Sequence, residues 1–160
     1  MTFSLYLAIM KKNLLLLTIS LTLSLTISAQ TDISEDYENQ TTNFTWFEDD
    51  CLMDVHFSNP FQDTNNNSDY VLEYQDVGGT FANIGFDYPP AFNLSDTHEF
   101  SIWIYVPSSS LTGSSPNQLS LKLQDGNLSA PWNTQTEIIK PLILDQWQEV
   151  TFNFDTDTFI

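Results

Sequence analysis

Between Glu99 and Asp155 three segments alternate apolar and polar residues with a period of two, and that period leaves little choice of backbone. In Phe100-Ser101-Ile102-Trp103-Ile104-Tyr105-Val106, an extended chain points Phe100, Ile102, Ile104 and Val106 one way and Ser101, Trp103 and Tyr105 the other. Leu119, Leu121 and Leu123 separate in the same manner from Ser120, Lys122 and Gln124. So do Val150, Phe152 and Phe154 from Glu149, Thr151, Asn153 and Asp155. Such alternation belongs to antiparallel sheets with one dry face and one wet face. The wet faces carry Trp103, Tyr105, Lys122 and Gln124, a mixture suited to a ligand as well as to solvent.

The spacing predicts further strands at Thr45 to Asp49, Tyr70 to Gln75, Ala82 to Phe86 and Glu137 to Lys140. Turn-forming runs separate them: Asn65-Asn66-Asn67-Ser68, Gly78-Gly79, Tyr88-Pro89-Pro90, Ser108 to Pro116 and Asp125-Gly126-Asn127. No amphipathic helix is expected in this part of the chain. Short strands joined by polar loops predict an all-β, antiparallel β-sandwich. An immunoglobulin-type sandwich usually carries a cysteine pair, and Cys51 stands alone, so a jelly roll is the expected form.

Toward the N-terminus, Lys11-Lys12 precede an uncharged run from Leu14 to Ser28 that ends in Ala29-Gln30. This is the pattern of a secretory signal peptide cut after Ala29, with Met10 as the initiator. A membrane anchor is the weaker alternative, because the run is rich in Thr and Ser and slightly short for the ~20 apolar residues of a span. The exported remainder is one domain. Residues 30–42 are polar, acidic and aperiodic, and are expected as a disordered linker before a module over residues 43–160. With one cysteine the module has no internal disulfide and depends on its core, on a metal, or on both. The net charge of −17, from 4 Lys and Arg against 21 Asp and Glu, opposes nucleic acid and anionic lipid surfaces as partners. The sequons at Asn39, Asn43, Asn66, Asn93 and Asn127 arise readily in a chain rich in Asn and Thr and carry no weight.

An order of short motifs runs through the module. It comprises Trp46-Phe47-Glu48-Asp49, Ser58-Asn59-Pro60, Asn67-Ser68 before Tyr70-Val71, Phe100 to Pro107, Leu119 to Gln124, and Trp147 through Asp155. In that order the chain resembles, over about residues 44 to 160, the galactose-binding-like jelly-roll modules of secreted bacterial polysaccharide-degrading proteins. The resemblance implies a non-catalytic carbohydrate-binding domain, often beside a glycoside hydrolase and often holding a structural Ca²⁺. It implies that Glu48 and Asp155 share the calcium site with loop oxygens around Asn67 to Asp69, and that Trp147 anchors the core. Acids merely solvated at strand ends are the competing reading of that pair. Such domains usually continue beyond the Trp-x-x-Val-x-Phe-x-Phe strand, whereas this sequence stops at Ile160, so a fragment of a longer reading frame is expected.

Sugar recognition needs flat aromatic rings over apolar C–H faces and polar groups for the hydroxyls. Trp103 and Tyr105 supply rings, and Lys122 and Gln124 join them if their strands belong to one sheet. Trp132, in Ala130-Pro131-Trp132-Asn133, is a further candidate ring. The alternatives are packing beneath a loop for Trp103 and Tyr105, and a loop plug for Trp132. Glycoside hydrolysis requires a pair of carboxylates about 5–10 Å apart, and Glu73, Glu137 and Glu149 fall on separate strands. His56 and His98 are too isolated for zinc. The reading is a secreted or cell-surface, monomeric, non-catalytic module that binds a neutral polysaccharide or oligosaccharide. Its rivals are an adhesive or spacing module without sugar, and a piece of an enzyme whose catalytic residues follow Ile160.

Overall fold

The alternating segments form strands, and every strand pairs antiparallel with one other. The structure, a computed structural model, describes residues 33–89, 92–114 and 116–160. The expected signal peptide and residues 30–32 of the expected linker lie outside the described residues. Among the described residues there are eight strands: β1 (Trp46–Asp49), β2 (Cys51–Ser58), β3 (Tyr70–Asp76), β4 (Asn83–Phe86), β5 (Glu99–Ile104), β6 (Gln118–Leu123), β7 (Thr136–Pro141) and β8 (Gln148–Asn153). They form four two-stranded ladders, β1 with β4, β2 with β3, β5 with β8, and β6 with β7. Two short 3₁₀ turns, Ser108–Ser110 and Pro131–Thr134, are the helical content. The fold is thus all-β and antiparallel, as expected.

Register explains which residues are dry. Phe100 stands opposite Phe152 and Ile102 opposite Val150 in the β5/β8 ladder, while Leu121 stands opposite Ile138 in the β6/β7 ladder. The two dry faces share one core of Ile138, Val150, Phe152 and Phe154, against which Phe100, Ile104, Leu119, Leu121, Leu123 and Leu142 pack. Ile138 and Phe152 are 1% and 2% exposed. Each such side chain, fully buried, contributes about 1.5–3 kcal/mol. Ile102 shares their face yet stays 44% exposed, because the cluster covers Phe100 and Ile104 and leaves Ile102 out.

At the other end of the chain, Asp50 alone joins β1 to β2, with a left-handed φ of 53°. Gly79 presses on this kink: a Cβ there would lie 2.2 Å from the Cβ of Asp50, so only glycine fits. β2 is absent from the expected strands, although Cys51, Met53, Val55 and Phe57 do alternate with more exposed neighbours. A bulge sets Val55 and His56 against a single residue of β3 and leaves both His56 and Phe57 half-buried, which blurs the period.

The segment expected as a linker is tied to the strands from Glu35 onward, where the compact unit begins. The Tyr37 ring meets Trp46 at 6.0 Å, the Tyr70 backbone N–H donates to Glu38 at 3.4 Å, and the Asn43 backbone N–H donates to the Glu35 carboxylate. Burial pushes the Tyr37 phenol well above its ordinary pKa, and the nearby Glu35 carboxylate adds to the shift.

Candidate functional site

The five candidate residues do not gather on one ladder. Trp103 lies on the outer face of the β5/β8 ladder, opposite Glu149 and beside the Ser101–Thr151 pair, and is 46% exposed. Tyr105 follows the last residue of β5, where the alternation that set it beside Trp103 ends. Its ring stacks on Phe61 (4.1 Å, 8°) and leans on Trp147 (5.7 Å, 60°). The Trp147 indole N–H in turn donates to the Phe61 carbonyl at 2.7 Å, and Trp147 is buried as a core anchor should be. Tyr105 therefore belongs to packing between the 61 loop and the end of β5.

Lys122 and Gln124 do not share a sheet with Trp103, because β6 pairs with β7 rather than with β5. Lys122 stands opposite Glu137, its ammonium 3.9 Å from a carboxylate oxygen to which the Ser120 hydroxyl also donates. Gln124 follows the end of β6 and is exposed. Trp132 is 65% exposed, so it plugs nothing. Its 3₁₀ turn is fixed by Asn133 N–H to the Ala130 carbonyl (3.1 Å), the Thr134 hydroxyl to the Pro131 carbonyl (2.7 Å), and Asp125 N–H to the Thr134 hydroxyl (3.0 Å).

Metal ligation finds no ready-made cage. Among the described residues no group of three or more His, Cys, Asp and Glu side chains could hold an ion. Glu48 is exposed on β1, and Asp155 lies in the turn after β8, where its N–H donates to the Asn153 side chain at 2.9 Å. Of the six to eight oxygens that Ca²⁺ takes, the two acids supply only a part, the rest of the expected set being loop oxygens around Asn67 to Asp69. His56 stacks on Tyr70 (3.8 Å, 22°), and the His98 carbonyl accepts from Phe154 N–H (2.8 Å), which are structural roles.

One feature absent from the sequence-based expectations is an open cleft of about 620 Å³ lined by Asn43, Phe44, Thr45, Phe47, Asp87, Tyr88 and Pro89. Its origin is the β1/β4 pairing. Because Trp46 stands opposite Phe86, the residues entering β1 run beside those leaving β4, and two short aromatic stretches meet. Phe44 stacks on Phe86 (4.5 Å, 23°) and meets Tyr88 edge-on (6.4 Å, 73°). Trp46 meets Phe86 edge-on (4.9 Å, 62°), and Tyr88 stacks on Phe92 (5.1 Å, 17°). Phe92 contacts Phe100, and Phe100 contacts Phe154, so a row of rings runs from the cleft into the core.

The cleft's chemistry is rings with a few oxygen and amide groups: the Asn43 amide, the Thr45 hydroxyl and the Asp87 carboxylate. Among the described residues no cationic side chain lines it, and Asp87 is its one carboxylate. That set can cover an apolar C–H face and hydrogen-bond neutral hydroxyls, and it repels anions. The carboxylate of Asp87 also reaches the loop after β6, where a Cβ on Gly126 would lie 3.4 Å from it. The signal available in the sequence was the pair of stretches Phe44-Thr45-Trp46-Phe47 and Phe86-Asp87-Tyr88-Pro89, of which the second read as the end of a strand at Phe86 and a turn from Tyr88.

Comparison with known proteins gives one match: the sequence model of a family described as a carbohydrate binding domain matches residues 31–160. No curated protein and no solved structure matches the chain.

Proposed function

The chain belongs to this carbohydrate-binding-domain family, and on that premise we propose that it is an exported, non-catalytic module holding a neutral polysaccharide or oligosaccharide in the cleft between residues 43–47 and 87–89. The observation that carries the site is the lining itself, in which the rings of Phe44, Phe47 and Tyr88 stand with Asn43 and Asp87 around an open space. Sugars present both surfaces such a lining takes, flat C–H faces and a rim of hydroxyls. Neutrality follows from Asp87 and from the net charge of −17. The non-catalytic role rests on the family, which is described as a binding domain. Export rests on the leader pattern from Met10 to Ala29.

The test is isothermal titration of the full chain with soluble neutral polysaccharides, with polygalacturonate as the anionic contrast. Binding of a neutral polymer that Tyr88→Ala weakens roughly fivefold supports the cleft, because a lost stacking ring costs about 1 kcal/mol. Preference for polygalacturonate contradicts it. A second reading puts the sugar on Trp103, whose half-exposed ring faces Glu149. In that case Trp103→Ala, and not Tyr88→Ala, abolishes binding in a protein that still folds.

A further inference from the structure

The interior of β4 holds a glycine that its own backbone does not require. Gly85 lies in a regular ladder, and the left-handed glycines among the described residues are Gly78 and Gly113. A glycine inside a strand weakens it, having no side chain to pack and more freedom to lose, and often marks a place where something approaches the backbone closely. Here the approaching group is Phe47, its partner in register across the ladder. A Cβ on Gly85 would come to 2.7 Å from the Cζ of Phe47, 3.2 Å from Cε2 and 3.4 Å from Cε1, so the distal end of the ring rests on the glycine.

Phe47 is on the face opposite the Trp46–Phe86 pair, takes no part in the row of stacked rings, and remains 44% exposed at the border of the cleft. Burial alone gives no reason for this arrangement, since a large apolar ring is held down at one end and left open to solvent over much of its surface. We infer that Gly85 is a positioning residue, the seat that sets the height and tilt of the Phe47 ring so that its free surface stacks on a sugar in the cleft. The inference rests on the saccharide-binding reading above. Any side chain at position 85 lifts the ring, and the cost falls on the ligand rather than on the core, because neither residue touches the buried cluster of Ile138, Val150, Phe152 and Phe154.

A double-mutant cycle on the full chain tests it, with affinity and thermal unfolding measured side by side. The probes are a soluble xylan, a β-1,3-glucan and a galactomannan, the cycle being run with whichever binds the parent chain most tightly. Gly85→Ala and Phe47→Ala are each expected to weaken binding roughly tenfold, the loss of one well-seated ring. The double variant is expected to bind no worse than either single variant. In the Phe47→Ala background, Gly85→Ala is expected to raise the Tm, since the strand gains a side chain and nothing stands in its way. Phe47→Leu keeps apolar bulk and loses the flat ring, so it reads the stacking role even if Gly85→Ala alone does not fold. A parent chain that binds a probe while Phe47→Leu or Gly85→Ala binds it equally well overturns the inference. Losses that add in the double variant overturn it too. A parent chain that binds none of the probes overturns the saccharide reading itself, and this inference with it.

Discussion

Of the six buried apolar residues among the described residues, five (Ile138, Trp147, Val150, Phe152 and Phe154) lie from β7 onward, and Cys51 lies in the earlier ladders. The β1/β4 and β2/β3 ladders leave Phe47, Leu52, Tyr74, Val77 and Phe81 exposed in or beside them, as the later ladders leave Ile102, Trp103 and Ile139, but they bury far less in return. Both regions are rich in aromatic residues, so composition does not separate them; geometry does. Around β5 to β8 the rings and aliphatic chains interdigitate into a dry cluster, where each buried group adds dispersion and transfer energy. Around β1 and β4 the rings form a row with one side open, where the same side chains keep surface available for a partner. The difference teaches that the buried core is concentrated in one half of the module, and the cleft proposed for the saccharide lies in the other.

The largest effect expected on this contrast is that of Phe152→Ala, which should cost about 3–5 kcal/mol by urea unfolding. A loss below ~1 kcal/mol would break the assignment of stability to the β5–β8 region. Trp147→Phe keeps the bulk but removes the donor to the Phe61 carbonyl. It should cost about 1–3 kcal/mol, because an acceptor is left without its hydrogen bond, and near-ultraviolet dichroism should register the loosening of Tyr105. A smaller effect reads the first half through Tyr37. Its phenol pKa is raised in the folded protein, so its contribution is fully present below pH ~10 and is lost as the pH climbs toward the folded pKa. Tyr37→Phe should therefore flatten the alkaline fall of Tm, and an unchanged alkaline limb would count against a docked N-terminal segment.

The smallest effect sharpens the picture at the turn after β8. The Lys140 ammonium donates to Asp157 at 2.6 Å and the Asn153 N–H donates at 2.8 Å, and together they hold this carboxyl below its ordinary pKa. A depressed carboxyl contributes stability above the unfolded pKa near 3.9 and loses it as the pH falls through the lower, folded value. Asp157→Asn should lower the Tm slightly at pH 7, and parent and variant should converge in acid. A gap that persists at low pH would show that the turn's geometry, rather than its charge, is at work.

Much of the fold could be read from the residues, and the limits have a common cause. The alternation in Val150, Phe152 and Phe154 named the core in and just after β8 correctly, because burial on one face of a strand leaves a local period, while the burial of Trp147 was expected only from the family resemblance. The same period says nothing about which strand lies alongside, so the pairing of β5 with β8 and of β6 with β7 was not legible, and with it the separation of Lys122 and Gln124 from Trp103. Tyr105 looked coplanar with Trp103 only as long as the strand was taken to run past Ile104. The cleft was invisible for the same reason: its two lips lie some forty residues apart and meet only through the β1/β4 register. Gly85 passed unremarked inside the expected strand from Ala82 to Phe86, because its close contact with Phe47 exists only in the paired ladder.

The most direct test of where recognition resides is to follow the backbone amide resonances of the full chain by NMR during titration with the tightest-binding neutral oligosaccharide. The account predicts that the shifts concentrate at residues 43–47 and 85–89 while those of β7 and β8 stay in place. Shifts centred on Ser101, Trp103, Glu149 and Thr151 instead would contradict it and move the site to the outer face of the β5/β8 ladder.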